Sequence, residues 1–143
     1  MSKELFVTCP HCHRKNRMPA DKLSAHGNCG ACKQALFTGK PIALTNNSFA
    51  QHLGGDVPIV VDFWAPWCGP CLQFAPTFEA ASAVLEPKVR LIKINTEVET
   101  ALAQRYGIRS IPTLMMFKQG KEVARVSGAM PAAQFQKWVN AQL

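Results

Sequence analysis

The stretch from Ile59 to Cys71 most limits what this chain can become. Ile59-Val60-Val61-Asp62-Phe63-Trp64 is apolar, β-branched and aromatic, the make-up of a buried strand, and it leads into Cys68-Gly69-Pro70-Cys71 at the start of a helical pattern. A thiol at a helix start feels the positive end of the helix dipole and unpaired backbone N–H groups, both of which favour the thiolate. With this spacing the two sulfurs lie on one helix face, near enough to close a Cys68–Cys71 disulfide. Cys68 is expected to be reachable and Cys71 tucked behind it. Pro70 falls in the first turn, where its missing N–H costs little, and with Gly69 it keeps the dithiol preorganised.

Asp62 interrupts the apolar run. An unpaired polar group buried there costs about 2 to 7 kcal/mol, so its pKa is expected to rise. A raised carboxyl below a dithiol is suited to taking the proton from Cys71 when that thiol attacks. The plainer role, capping the next helix, fails on distance, because Asp62 lies too far ahead of Cys68.

The 143 residues suit one ordinary domain plus a small appendage, and 48% hydrophobic content is ample for a packed core. The N-terminal Met1 to Cys9 stretch has only three apolar residues before polar residues and cysteines resume, which reads as no secretory signal, and no run is long enough to span a membrane. A cytoplasmic location is expected. The formal charge of +7 is uneven: residues 1–50 carry seven Lys/Arg against two Asp/Glu, and residues 51–143 nine against seven. Four zinc-bound thiolates would trim the surplus to about +5. Solvated surface cations explain such a balance better than nucleic-acid binding, which is not expected.

Six cysteines form three Cys-x-x-Cys pairs, and the first two, Cys9/Cys12 and Cys29/Cys32, are separated by sixteen residues, the spacing of a two-knuckle zinc site. In a reducing cytosol these four thiols fit one tetrahedral Zn2+ better than disulfides. The segment has too little apolar content to fold unaided, so the metal would be its core. His11, His13 and His26 are read as surface residues beside a complete set of four sulfurs. Residues 1–38 are therefore expected to form a zinc-binding ribbon and 39–143 the second domain, joined across Thr38 to Pro41.

Ile42 to Leu44 reads as a short strand, and Asn46 or Asn47 as the cap of a helix ended by Gly54-Gly55. Val57 to Trp64 is the central strand. A helix follows from Cys68 to about Leu85, with Pro76 expected to kink it. Val89 to Ile94 is a strand, Thr96 and Glu99 suggest a capping box closed later by Gly107, and Pro112–Lys118 with Lys121–Val126 form a hairpin over Gln119-Gly120. An amphipathic helix carries Phe135, Trp138 and Val139. These elements predict an α/β fold with a central mixed sheet flanked by helices.

Asp62 to Cys71, Tyr106-Gly107-Ile108-Arg109-Ser110-Ile111-Pro112-Thr113 and Phe117-Lys118-Gln119-Gly120 closely resemble the signatures of the thioredoxin family, over roughly residues 41–143. With four cysteines ahead of it, the chain is similar to the zinc-bearing bacterial branch of that family. Leu72, Pro66 and Ser110 depart from the usual pattern but leave the catalytic group intact. The resemblance implies a thioredoxin fold, a cis Ile111–Pro112 bond whose preceding backbone pairs with substrate, and a client-receiving rim of Trp67, Ile111, Pro112, Gly128 and Ala129. It implies that Lys93 tunes the buried acid.

It further implies a monomeric protein-disulfide reductase acting on client proteins through a mixed disulfide. Thioredoxin reductase and NADPH would regenerate the dithiol, so the chain itself would bind no flavin or nicotinamide. Two other classes stay open: a disulfide oxidase or isomerase on the same fold, which the Gly-Pro pair disfavours, and a binding protein whose ribbon touches nucleic acid or a client.

Overall fold

A computed structural model of the chain describes residues 3–23 and 27–143. His26, Met1 and Ser2 lie outside the described residues. The elements run β1 (Glu4–Thr8), β2 (Lys15–Pro19), β3 (Ile42–Ala43), α1 (Asn46–Leu53), β4 (Ile59–Trp64), α2 (Gly69–Leu85), β5 (Arg90–Asn95), α3 (Thr100–Arg105), β6 (Thr113–Lys118), β7 (Lys121–Ser127) and α4 (Ala132–Asn140).

The main sheet has the order β3-β5-β4-β6-β7. Strands β3, β5 and β4 are parallel, while β6 and β7 run antiparallel, which makes the sheet mixed. Strand β4 is paired on both edges and covered on both faces, which is why its sequence is almost continuously apolar. Alternation sends Ile59, Val61 and Phe63 to one side, where they pack with Phe49 of α1 and Leu102 of α3. Val60 faces the other side, against Phe74 and Phe78 of α2 and Phe135 of α4. Asp62 and Trp64 share that second face by the same alternation.

The β6–β7 turn takes Gln119 and Gly120 at φ 50° and 81°, the left-handed pair that a two-residue hairpin matched to strand twist requires. Helix α1 is capped by Thr45 in a reciprocal capping box with Ser48, rather than by Asn46 or Asn47. The capping box suggested by Thr96 and Glu99 does not form. Thr96 Oγ1 donates to the Trp64 carbonyl at 3.0 Å, and the Glu99 carboxylate accepts from the Asn46 backbone N–H at 2.9 Å, so both side chains are committed to other elements. Helix α2 runs from Gly69 to Leu85 with Pro76 inside it.

The N-terminal segment packs against α1, the loop before β4 and the start of β5. Strands β1 and β2 pair antiparallel on either side of the first knuckle, Cys9 to Cys12. Val57, expected in the central strand, instead joins Val7, Leu36, Cys9 and Cys29 in the ribbon's own cluster, because β4 starts only after Pro58. Asp56 exchanges two hydrogen bonds with Phe6: its backbone N–H donates to the Phe6 carbonyl, and its carboxylate accepts from the Phe6 N–H. Thr8 Oγ1 donates to the Gln51 carbonyl at 2.8 Å.

The aromatic seam of Phe74, Phe78 and Phe135 fixes α4 on α2, with Phe135 edge-on to Phe74 at a centroid distance of 5.4 Å. Phe135 is fully buried. Phe135→Ala is expected to lower unfolding free energy by about 3 to 5 kcal/mol, read as a lower denaturant midpoint at unchanged slope. A loss below about 1 kcal/mol would mean that α4 is not held by this seam.

Candidate functional site

The turn after β4 is short and closed: the Cys68 backbone N–H donates to the Ala65 carbonyl at 3.1 Å, and Cys68 becomes the N-cap of α2. Its Sγ accepts the Cys71 backbone N–H at 3.2 Å. This is one of the donors a helix start leaves free, and together with the helix dipole it favours negative charge on that sulfur. Pro70 occupies the first turn, where no N–H is needed. Cys68 and Cys71 are joined as a disulfide with their Cα atoms 5.2 Å apart.

The expected contrast in exposure between the two sulfurs is not seen. Cys68 is 4% exposed and Cys71 2%, since both pack with Ala65 and against Ile111. What separates them is position: Cys68 faces the helix mouth and Cys71 lies one turn in. Cys68 Sγ is also 3.7 Å from the Ile111 carbonyl oxygen.

Asp62 is 1% exposed, and neither carboxylate oxygen has a hydrogen-bond partner among the described residues. Burial pushes its pKa up to about 7, against an opposing pull from the Lys93 ammonium. Lys93 stands opposite Asp62 in the parallel β4–β5 register, on the same face, with its Nζ 4.4 Å from the Trp64 ring centroid. The carboxyl is therefore poised to exchange a proton near neutral pH, below the helix that carries Cys71.

Of the residues expected to receive a client, Ile111 packs on the Cys68–Cys71 cluster. The Ile111–Pro112 bond is cis, and the Gly128 N–H donates to the Pro112 carbonyl at 2.8 Å from a φ of +100°, a conformation glycine adopts without strain. Ala129 beside it is exposed. Trp67 is 69% exposed, and its indole N–H donates to the Glu97 carboxylate. Glu97 escapes sequence reasoning, because its partner is thirty residues away and no local pattern marks it.

The four other cysteines form a second centre. Their sulfurs all lie within 4.8 Å of one another, with Cys9–Cys32 and Cys12–Cys29 at 3.6 Å. A Zn–S bond of about 2.3 Å implies tetrahedral S···S edges of about 3.8 Å, so the donor set fits zinc. Backbone N–H groups of His11 and Ala31 point at Cys9 and Cys29 at 3.3 and 3.4 Å, and the Asn16 amide donates to Cys29 at 3.5 Å. The Cys32 backbone leads the contacts that hold the Cys29 thiol down to about 5. His11 is exposed, as expected. His13 is not a free surface residue: its Nδ1 lies 3.0 Å from Nε2 of the buried His52, at the seam with α1.

A redox-active cysteine pair at the N-terminus of a helix, beside a cis proline on a mixed sheet, defines the disulfide-exchange class of proteins. The thioredoxin family model matches residues 40–141, and the model described as Thioredoxin 2, N-terminal matches residues 8–34. The chain belongs to the thioredoxin family. It is 42% identical over 140 residues to Thioredoxin C-3 of Corynebacterium nephridii, spanning 97% of this chain and 96% of that one. It is 49% identical over 89 residues to Thioredoxin 1 of Nostoc sp., spanning 62% and 83%. Among solved structures, it resembles the thioredoxin of Malassezia sympodialis at TM-score 0.68 and 34% identity, over 73% of this chain and 92% of that one.

Asp62 gives a signed pH prediction. A carboxyl whose folded pKa lies above its unfolded value contributes stability that is complete below about pH 4 and is lost as pH rises towards 7. Oxidised Asp62→Asn is therefore expected to match the wild type near pH 4 and to exceed it by about 2 to 4 kcal/mol above pH 7.5, measured by denaturant unfolding. A difference that does not change with pH would show that Asp62 titrates normally.

Proposed function

We propose that this thioredoxin-type disulfide reductase acts on client proteins in the cytoplasm as a monomer. The supporting observation is the Cys68–Cys71 pair at the mouth of α2, above a buried carboxyl without a hydrogen-bond partner among the described residues. No helix among the described residues is long and apolar enough to cross a membrane.

In the reduced form, the Cys68 thiolate attacks one sulfur of a client disulfide. A Cys68–client disulfide forms, and the second client sulfur leaves as a thiolate that takes a proton. Cys71 gives its proton to Asp62 and attacks Cys68 Sγ. The Cys68–Cys71 disulfide closes, and the first client sulfur departs as a thiolate that takes up a proton, while Asp62 returns its own proton to solvent. Two electrons pass to the client. Thioredoxin reductase with NADPH returns them, so the chain needs no flavin or nicotinamide of its own.

Gly69 and Pro70 hold the pair in register, and Lys93 limits how far burial raises Asp62. Trp67, Ile111, Pro112, Gly128 and Ala129 receive the client, with the backbone at Ile111 pairing as an added strand. The proposed division places the zinc ribbon at residues 1–38 and the catalytic domain at 39–143. One Zn2+ held by Cys9, Cys12, Cys29 and Cys32 would neutralise the crowded thiolates and lock the two knuckles.

Two variants test the assignment. Cys71→Ser is expected to trap clients on Cys68 as mixed disulfides and to reduce insulin disulfides only at background rate. Cys68→Ser should trap nothing. Turnover by Cys71→Ser at the wild-type rate would remove Cys71 from the second step.

A further inference from the structure

Arg90, at the start of β5, is 3% exposed and contacts the ribbon from the catalytic side. One guanidinium nitrogen donates to the Leu36 carbonyl and the other to the Thr8 carbonyl, each at 2.8 Å, across 54 and 82 positions of sequence. Thr8 immediately precedes Cys9, and Leu36 follows Cys32 on the chain leaving the second knuckle. The same guanidinium carbon lies 4.4 Å from the Phe37 ring centroid. Glu86 stands 3.5 Å away as a buried ion-pair partner, and its carboxylate accepts the Gly39 backbone N–H at 2.7 Å. The chain entering the first knuckle, the chain leaving the second and the linker beyond are thus held by one buried ion pair.

We propose that Arg90 is a positioning residue for the metal centre: the catalytic domain supplies the fork that sets the two knuckles at the spacing zinc requires. Within the ribbon, Asn16 ties the first knuckle's strand to Gly30 and Cys29, and His11 reaches the Ala35 carbonyl, but there is little apolar packing behind these bonds. The ribbon's apolar cluster is limited to Val7, Leu36 and Val57 with the cysteines and a few partly buried neighbours, and Val57 is itself lent by the segment before β4. A planar guanidinium bonded to two carbonyls fixes their separation in a way a single ammonium cannot. The charge is complementary as well, since four thiolates around a dication carry about −2. Outer-shell partners of this kind typically change metal affinity by about 10- to 100-fold when removed. Gly55 shows how closely the parts are fitted, because a Cβ there would sit 3.2 Å from Thr8 Oγ1.

The proposal rests on the four cysteines holding zinc, and the test separates the two ideas. Zinc affinity of the full chain is measured by competition with a chromophoric chelator, and melting temperature is read with and without zinc, for wild type, Arg90→Met and Arg90→Lys. Arg90→Met is expected to bind zinc about 10- to 100-fold more weakly, Arg90→Lys to fall between it and wild type, and the rise in melting temperature on adding zinc to shrink in both. Should Arg90→Met fail to fold, Arg90→Lys decides on the same readings. Affinities within twofold of wild type, or an equal drop in melting temperature with and without zinc, would reduce Arg90 to a general packing residue and overturn the proposal. A wild-type chain that takes up no zinc would overturn the zinc assignment itself, and this proposal with it.

Discussion

The structure depends on one buried strand carrying one acid. β4 is hydrogen-bonded on both edges and covered by helices on both faces, so its residues from Ile59 to Phe63 are buried away from bulk water. Placing Asp62 there opposes stability at neutral pH, because the charged form is excluded from a site that offers its oxygens no hydrogen bond among the described residues. The cost is tolerable only because the rest of β4 and its neighbours are close-packed and apolar, which also prevents the site from relaxing around the charge. The same rigidity holds the Cys68 turn at the strand's end, so the strand that carries the buried carboxyl also delivers the chain to the thiol pair at the start of α2.

Lys93 sets the limit of this arrangement. Its register opposite Asp62 brings a cation to the same face, yet it does not form an ion pair with the carboxylate. The ammonium instead sits over the Trp64 ring. A direct bond would pull the carboxyl pKa down and make it a weak base, whereas a cation held off it only moderates the effect of burial. The acid is thus kept near the pH at which it can switch.

Elements whose cause is local were legible in the sequence. The apolar run of β4, the proline in the first turn of α2 and the Gln119-Gly120 hairpin each carry their physical reason within a few residues. The features that escaped have partners far along the chain. Val57 reads as strand until the ribbon claims it, Glu99 reads as a cap until Asn46 does, and Glu97 and Arg90 have no local signature. The relative exposure of Cys68 and Cys71 was also out of reach, because Ile111 covers both from a loop forty residues further on.

Three Cys-x-x-Cys pairs with identical spacing reach two different ends, and the backbone after the second cysteine decides which. In the knuckles, His13 and Lys33 turn to φ 64° and 69°, and their N–H groups return to the carbonyls of Cys9 and Cys29 at 3.0 and 2.9 Å. The Cys9 and Cys29 N–H groups in turn donate to the carbonyls of Arg14 and Gln34 at 2.9 and 2.8 Å, closing each turn so that its sulfurs point to a shared centre. After Cys71 the chain stays right-handed: the Leu72 N–H reaches the Cys68 carbonyl at 3.1 Å, and α2 continues. The helix gathers the two sulfurs onto one face, bonded to each other, while the left-handed step gathers two pairs around one point. Neither histidine nor lysine advertises a positive φ as glycine would, so cysteine spacing alone names the candidates for metal and redox roles, and the sign of a single dihedral assigns them.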